Sequence, residues 1–186
     1  MFKKFWIFFV KLCGWNLKLP EKGSRKEFEH CVFVVAPHTS VLDFIFGAAY
    51  LWACCSNGKV LIKKEFFCGP LGSILKSLGA ISVDRGNKKN GLVDYAVGMF
   101  NNNGHFSLSL TPEATRKLVR NWKRGFWEIA ANANVPIVPT YIDFKKKEIG
   151  AFDTIYPSDN YLADLQKIRS LYRKEMARHP DQFAEV

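Results

Sequence analysis

A chain of 186 residues suits one domain with room for a proper core. Its hydrophobic fraction of 48% and aromatic fraction of 15% exclude disorder. The formal charge of +10 points to an anionic partner, and without zinc-finger spacing or a nucleic-acid motif that partner is a membrane surface or a phosphorylated substrate.

The chain opens with Phe2-Lys3-Lys4-Phe5-Trp6-Ile7-Phe8-Phe9-Val10-Lys11-Leu12. This block is too short to cross a bilayer, which takes about 20 residues, and no signal-peptide cleavage site is clear. Lysines flanking bulky aromatics are what a helix lying in a membrane interface uses. The competing reading is a first helix packed on the domain, with Trp6 and Phe9 in the core. Residues 1–18 are taken as an amphipathic interface helix and 19–186 as the folded domain. Leu19 to Glu29, polar and carrying Pro20 and Gly23, reads as a linker.

Cys31 to Val35 is an apolar run with the character of a buried strand, and Val41 to about Cys55 is an apolar helix. Between them lie Pro37-His38-Thr39-Ser40-Val41-Leu42-Asp43. Positions five apart on a helix are roughly 140° out of phase. His38 and Asp43 therefore meet only if His38 sits in the loop and Asp43 in the first helical turn. Ser40-Val41-Leu42-Asp43 also fits a capping box, in which Asp43 merely satisfies amides and the helix dipole.

Lys59 to Ile62 is a second strand, ending in Lys63-Lys64-Glu65. Pro70 to Leu78 fits a short helix opened by proline and closed by Gly79. Ala80 to Val83 is a strand, with Asp84-Arg85-Gly86 at its end. Gly91 to Phe100 is helical and stops at Asn101-Asn102-Asn103-Gly104. His105 to Leu110 alternates as a strand and leads into Thr111-Pro112-Glu113-Ala114-Thr115-Arg116. A helix over Gly125 to Asn134 and a strand over Val135 to Ile142 follow. Lys145-Lys146-Lys147 reads as a turn before a last strand near Ile149 to Ile155. Tyr161 to Arg178 has the periodicity of an amphipathic helix.

The five cysteines form no CxxC pair, and most lie in apolar runs, which predicts reduced, buried thiols. Cys68 alone stands beside a loop.

Strands and helices alternate through most of the chain. The expected fold is therefore α/β, a single domain with a largely parallel central sheet flanked by helices. Each charged loop follows the C-terminal end of a strand. His38 and Asp43, Lys64, Asp84 and Arg85, and Glu113 and Arg116 are thus placed to converge on one sheet edge. A histidine held by a carboxylate suits proton removal from a hydroxyl. Arginines suit a phosphate, whose oxygens match the guanidinium fork. Singly, Arg85 reads as a surface residue, Arg116 as part of a basic run, and Glu113 as its local ion-pair partner.

The ordered set His38-x4-Asp43, Gly79-Ala80-Ile81-Ser82-Val83-Asp84-Arg85-Gly86, Pro112-Glu113-Ala114-Thr115-Arg116 and Val135-Pro136-Ile137-Val138-Pro139 resembles the four blocks of the glycerolipid acyltransferases. That family includes the 1-acylglycerol-3-phosphate acyltransferases. Lys64-Glu65 with Pro70 and Gly72 resembles the segment before the second block, and the likeness covers roughly residues 30–142. It implies a fatty acyl group moved from an acyl thioester, on coenzyme A or acyl carrier protein, to the hydroxyl of a lysophospholipid. His38 would be the base and Asp43 its orienting partner. Lys64, Arg85, Glu113, Thr115 and Arg116 would hold the acceptor, and Pro136 and its neighbours would belong to the acyl side of the pocket. No metal or cofactor beyond the acyl co-substrate is implied. The expected place is the cytoplasmic face of an anionic membrane, as a peripheral or monotopic protein.

The family's third block usually reads Glu-Gly-Thr-Arg, and here Ala114 replaces the glycine. If that position needs a left-handed backbone, alanine costs about 1–2 kcal/mol. Beyond the fourth block the chain carries little that matches a motif. Alternative readings are an O-acyltransferase for a lyso-aminolipid, an inactive basic lipid-binding protein, and a hydrolase with Ser40 or Cys68 as nucleophile. Ser40 lacks the Gly-x-Ser-x-Gly elbow of the hydrolases.

Overall fold

Short apolar runs bounded by Gly, Asn and Pro become strands, and the longer runs between them become the helices that cover the sheet. A computed structural model describes residues 2–21, 25–77, 79–83 and 91–185. In chain order the elements are α1 (Phe2–Leu12), β1 (Asn16–Leu17), α2 (Arg25–Phe28), β2 (Val32–Ala36), α3 (Val41–Cys54) and β3 (Gly58–Lys63). A 3-10 turn (Lys64–Phe66) then precedes α4 (Gly69–Ser77), β4 (Ala80–Val83), α5 (Leu92–Asn101), β5 (Ser107–Leu110) and α6 (Gly125–Asn132). The chain continues with β6 (Ile137–Asp143), β7 (Glu148–Ala151) and α7 (Tyr161–Arg169), and 3-10 turns follow at Lys174–Met176 and Pro180–Gln182.

The strands form one sheet in the order β1-β7-β6-β2-β5-β3-β4. From β6 to β4 every pairing is parallel, whereas β7 runs antiparallel to β6 and β1 runs parallel to β7. The expected α/β domain with a largely parallel sheet is what forms. All five residues of β2 are buried, as expected of a strand covered on both faces. Its side chains alternate: Phe33 and Val35 face a core shared with α1 and α3, and Val32, Val34 and Ala36 face one shared with α5 and α6. At the turn into β4, Gly79 adopts φ +83°, where an L side chain would be strained.

α1 divides the two readings of its sequence between its two faces. Val10 is fully buried and the Trp6 ring lies 4.8 Å from that of Trp52 on α3. Phe5, Phe8 and Leu12 are 55%, 63% and 73% exposed. No helix among the described residues is long and apolar enough to cross a membrane.

Four expectations change. The stretch read as a linker, Leu19 to Glu29, contains α2, and its Phe28 is buried against Phe33. The helix expected over residues 1–18 ends at Leu12, and Asn16–Leu17 pair with β7 as β1, over too few residues to leave an alternating pattern. The last strand ends at Ala151 rather than Ile155, which keeps a single bridge to Ile137. Pro139 lies opposite this stretch and has no N–H to extend the ladder. The helix predicted to reach Arg178 stops at Arg169. Tyr172 instead turns into the core, where its hydroxyl donates to the Val34 carbonyl at 2.8 Å.

The cysteines are free thiols, with Cys31, Cys54 and Cys55 buried and Cys13 and Cys68 exposed. Exposure of Cys13 departs from the expected pattern, because it follows the last turn of α1.

Candidate active site

The site begins where β2 ends. A cis peptide joins Ala36 to Pro37, and His38 follows. Ser40 is the N-cap of α3 and Asp43 occupies its third position. Asp43 is only 2% exposed. Its Oδ2 accepts from the Thr39 and Ser40 amides, each at 2.6 Å, and its Oδ1 accepts from the Ser40 hydroxyl at 3.0 Å. The capping box is therefore real. The same Oδ2 lies 3.4 Å from His38 Nδ1. That nitrogen is buried, and the contact lacks the alignment of a hydrogen bond. Catalytic contacts of this kind often tighten once substrate is bound. Asp43 thus caps the helix and faces the imidazole at once, which leaves Nε2 as the ring nitrogen available to a substrate proton.

β5 pairs directly with β2, so the loop after β5 lies beside the histidine loop. Its Glu113 is 5% exposed, and Oε1 accepts from the His38 backbone N–H at 3.2 Å. Oε2 is buried and has no hydrogen-bond partner among the described residues. Burial pushes the Glu113 carboxyl up to about 8. The His38 amide opposes that shift, the Asp43 charge adds to it, and Arg169 opposes it. Ala114 adopts φ +56°. Thr115 Oγ1 accepts from the Lys117 amide at 3.3 Å, and the Arg116 side chain is exposed. Lys123 N–H donates to the Pro112 carbonyl at 2.8 Å and closes the loop on itself.

A buried carboxylate facing an imidazole, with a second acid behind the same loop, is an arrangement for moving a proton. The sequence model of the acyltransferase family matches residues 17–143, more than half of the chain. The chain belongs to the acyltransferase family. Among solved structures, this acyltransferase is similar to the 1-acyl-sn-glycerophosphate (LPA) acyltransferase PlsC from Thermotoga maritima. The TM-score is 0.62 at 16% identity, over 88% of this chain and 73% of that one. At that identity the likeness is one of fold. No curated protein matches the chain.

In this acyltransferase, His38 touches Asp43 through its ring and Glu113 through its backbone N–H, and Thr115 and Arg116 continue the loop of Glu113. Lys64 is exposed in the 3-10 turn after β3, two strand positions from β2. Arg85 lies outside the described residues. β4, which precedes it, is the edge strand three positions from β2, or about 14 Å at the usual strand spacing. Ser40 directs its hydroxyl at Asp43, so the N-cap bond engages the proton a nucleophile would lose.

Contacts from beyond the fourth block have no motif to announce them. His179 donates its amide to Thr39 Oγ1 at 3.2 Å. The Gln182 side chain reaches both site loops, and Arg169 adds its charge behind Glu113. These residues carry no motif spacing. Ala177 and Phe183, two of the few apolar residues in this mostly polar stretch, are buried.

Proposed function

We propose that this acyltransferase moves a fatty acyl group from an acyl thioester to the free hydroxyl of a lysophospholipid, with 1-acylglycerol-3-phosphate as the acceptor. The observation that carries this reading is the Nδ1 contact of His38 with Asp43, at a strand end beside the loop that leads to Arg116. PlsC, named for the same acceptor, lends the fold-level analogy.

The acceptor hydroxyl attacks the thioester carbonyl while His38 Nε2 takes its proton. The carbon–sulfur bond then breaks, and the proton passes from the imidazolium to the leaving thiolate. No acyl-enzyme forms. Asp43 fixes the ring and stabilises its charged form. Arg116 offers a fork of donors to the acceptor's phosphate. Thr115 and Lys64 add polar contacts from the same sheet edge, and Arg85 is assigned to the phosphate by its block. The donor carrier is coenzyme A or acyl carrier protein.

The exposed Phe5, Phe8 and Leu12 on α1, with Lys4 and Lys11 beside them, suit an anionic bilayer at its cytoplasmic face, where such an acceptor resides. In this reading α1 (Phe2–Leu12) is the interface element, and the catalytic domain begins no later than β1, whose Leu17 pairs with Ile149.

The test is an assay of purified protein on a panel of lyso-lipid acceptors, phosphate-bearing and amino-acid-derived, with both thioester donors. Transfer to 1-acylglycerol-3-phosphate is expected, with His38→Ala slower by about 10²–10⁴-fold at unchanged melting temperature. Near-normal turnover in His38→Ala, or a trapped covalent acyl-enzyme, would overturn the mechanism.

A further inference from the structure

Residues 174–185 belong to none of the family's four blocks, yet they pack across the two loops that build the site. Both ends of this segment are fixed. At one end, Phe144 N–H donates to the Met176 carbonyl at 2.9 Å, just past β6. At the other, the Arg169 guanidinium donates to the Ala184 carbonyl at 3.2 Å and lies 5.7 Å from the Trp122 ring. Ala177 and Phe183 are buried between these anchors.

Gln182 stands in the middle. With its amide nitrogen turned to the loops, it donates to the Thr39 carbonyl at 3.2 Å and to the Arg116 carbonyl at 2.7 Å. The His179 amide holds the Thr39 hydroxyl from the same side. A primary carboxamide carries two N–H bonds on one planar nitrogen, one for each carbonyl. A glutamate of the same shape only accepts and would face two oxygens. A methionine of similar length donates nothing.

The two carbonyls belong to functionally different loops. Thr39 is the neighbour of the proposed base, and Arg116 ends the loop assigned to the acceptor's phosphate. We propose that Gln182 is a positioning residue that fixes the distance between the base and the acceptor clamp. It touches no reacting atom and acts through the backbone at residues 39 and 116. This inference rests on the acyl-transfer reading for its kinetic consequence, and on the hydrogen bonds alone for its geometric one.

The consequence follows from where the acceptor is held. If its phosphate is bound at Arg116 and its hydroxyl must lie in line with His38, a slack clasp leaves binding intact and misplaces the hydroxyl. Small misplacements of this kind cost rate rather than affinity.

The experiment compares the full chain with Gln182→Glu and Gln182→Met. Steady-state kinetics are measured with 1-acylglycerol-3-phosphate and a saturating acyl thioester, and amide hydrogen exchange is followed in peptides spanning 37–42, 111–118 and 137–143. For Gln182→Glu, kcat is expected to fall about tenfold while the acceptor KM stays within about twofold, with Gln182→Met between it and the parent. Exchange should quicken in the first two peptides and not in the third. Unchanged exchange at 37–42 and 111–118 would overturn the clasp. Loss of kcat with equal loosening of 137–143 would make Gln182 a general stabiliser and overturn the positioning role. If the parent acylates no acceptor in the panel, the functional reading fails, and exchange still decides whether Gln182 joins the loops.

Discussion

At the scale of single residues, Ala114 shows how a departure from a motif becomes a physical quantity. Its φ of +56° is the left-handed conformation that the block's usual glycine adopts freely. Alanine there carries a cost of about 1 kcal/mol, which the fixed neighbours Glu113 and Pro112 impose. Ala114→Gly is therefore expected to raise unfolding stability by about 1 kcal/mol, read from the urea midpoint at constant m. An unmoved midpoint would mean that the loop relaxes around alanine. His38 and Asp43 were legible from sequence because spacing alone restricts how they meet. The direction of the Glu113 carboxyl was not, since only the fold decides that it turns inward to the His38 amide. Gln182 was illegible for a similar reason. A lone glutamine carries no spacing signal, and its partners are backbone carbonyls far away in the chain.

At the scale of elements, α1 shows an aromatic helix with two faces of different use. Its buried face, through Val10 and Trp6, holds it on α3. Its other face carries an exposed stripe at positions 5, 8 and 12, the spacing of one helix side. Each such side chain gains about 1.5–3 kcal/mol on leaving water. Changing Phe5, Phe8 and Leu12 together to Ser is expected to weaken binding to phosphatidylglycerol vesicles by at least about tenfold. The melting temperature should stay within a few degrees, because Val10 and Trp6 are untouched. Undiminished vesicle binding would assign the membrane contact to another surface. An unbroken apolar run located α3 well, whereas the helix expected over residues 1–18 stops at Leu12, before Gly14 at φ +76° turns the chain into β1. Helix periodicity overran α7, because Tyr172 and Met176 continue the apolar pattern while the chain has already left the helix to bury the tyrosine.

At the scale of the whole molecule, the raised Glu113 carboxyl couples stability to pH. Between its ordinary value of 4.5 and about 8, the folded chain keeps a proton that the unfolded chain has released. Its contribution is complete below the unfolded value and is lost as pH rises through 8, with a limiting slope of about 1.4 kcal/mol per pH unit. The melting temperature is therefore expected to drop between pH 5.5 and pH 8.5, and to drop less in Glu113→Gln, which carries no titratable proton. Parallel declines in the two proteins would refute a proton held at Glu113. Alternating strands and helices announced a parallel sheet, but the order of its strands was not readable. Which strand lies beside which depends on crossovers that local pattern does not encode.

That strand order has a consequence during synthesis. β2 is flanked by β5 and β6, whose partner residues begin only at Leu108 and Ile137. A ribosome must extend the chain by more than seventy residues after β2 before either rim of this wholly apolar strand is covered. Until then Val32-Phe33-Val34-Val35 offers bare ladder groups to any neighbouring nascent copy. The yield of soluble enzyme should therefore depend on translation speed and on chaperones that shield this segment, before lipid chemistry enters at all.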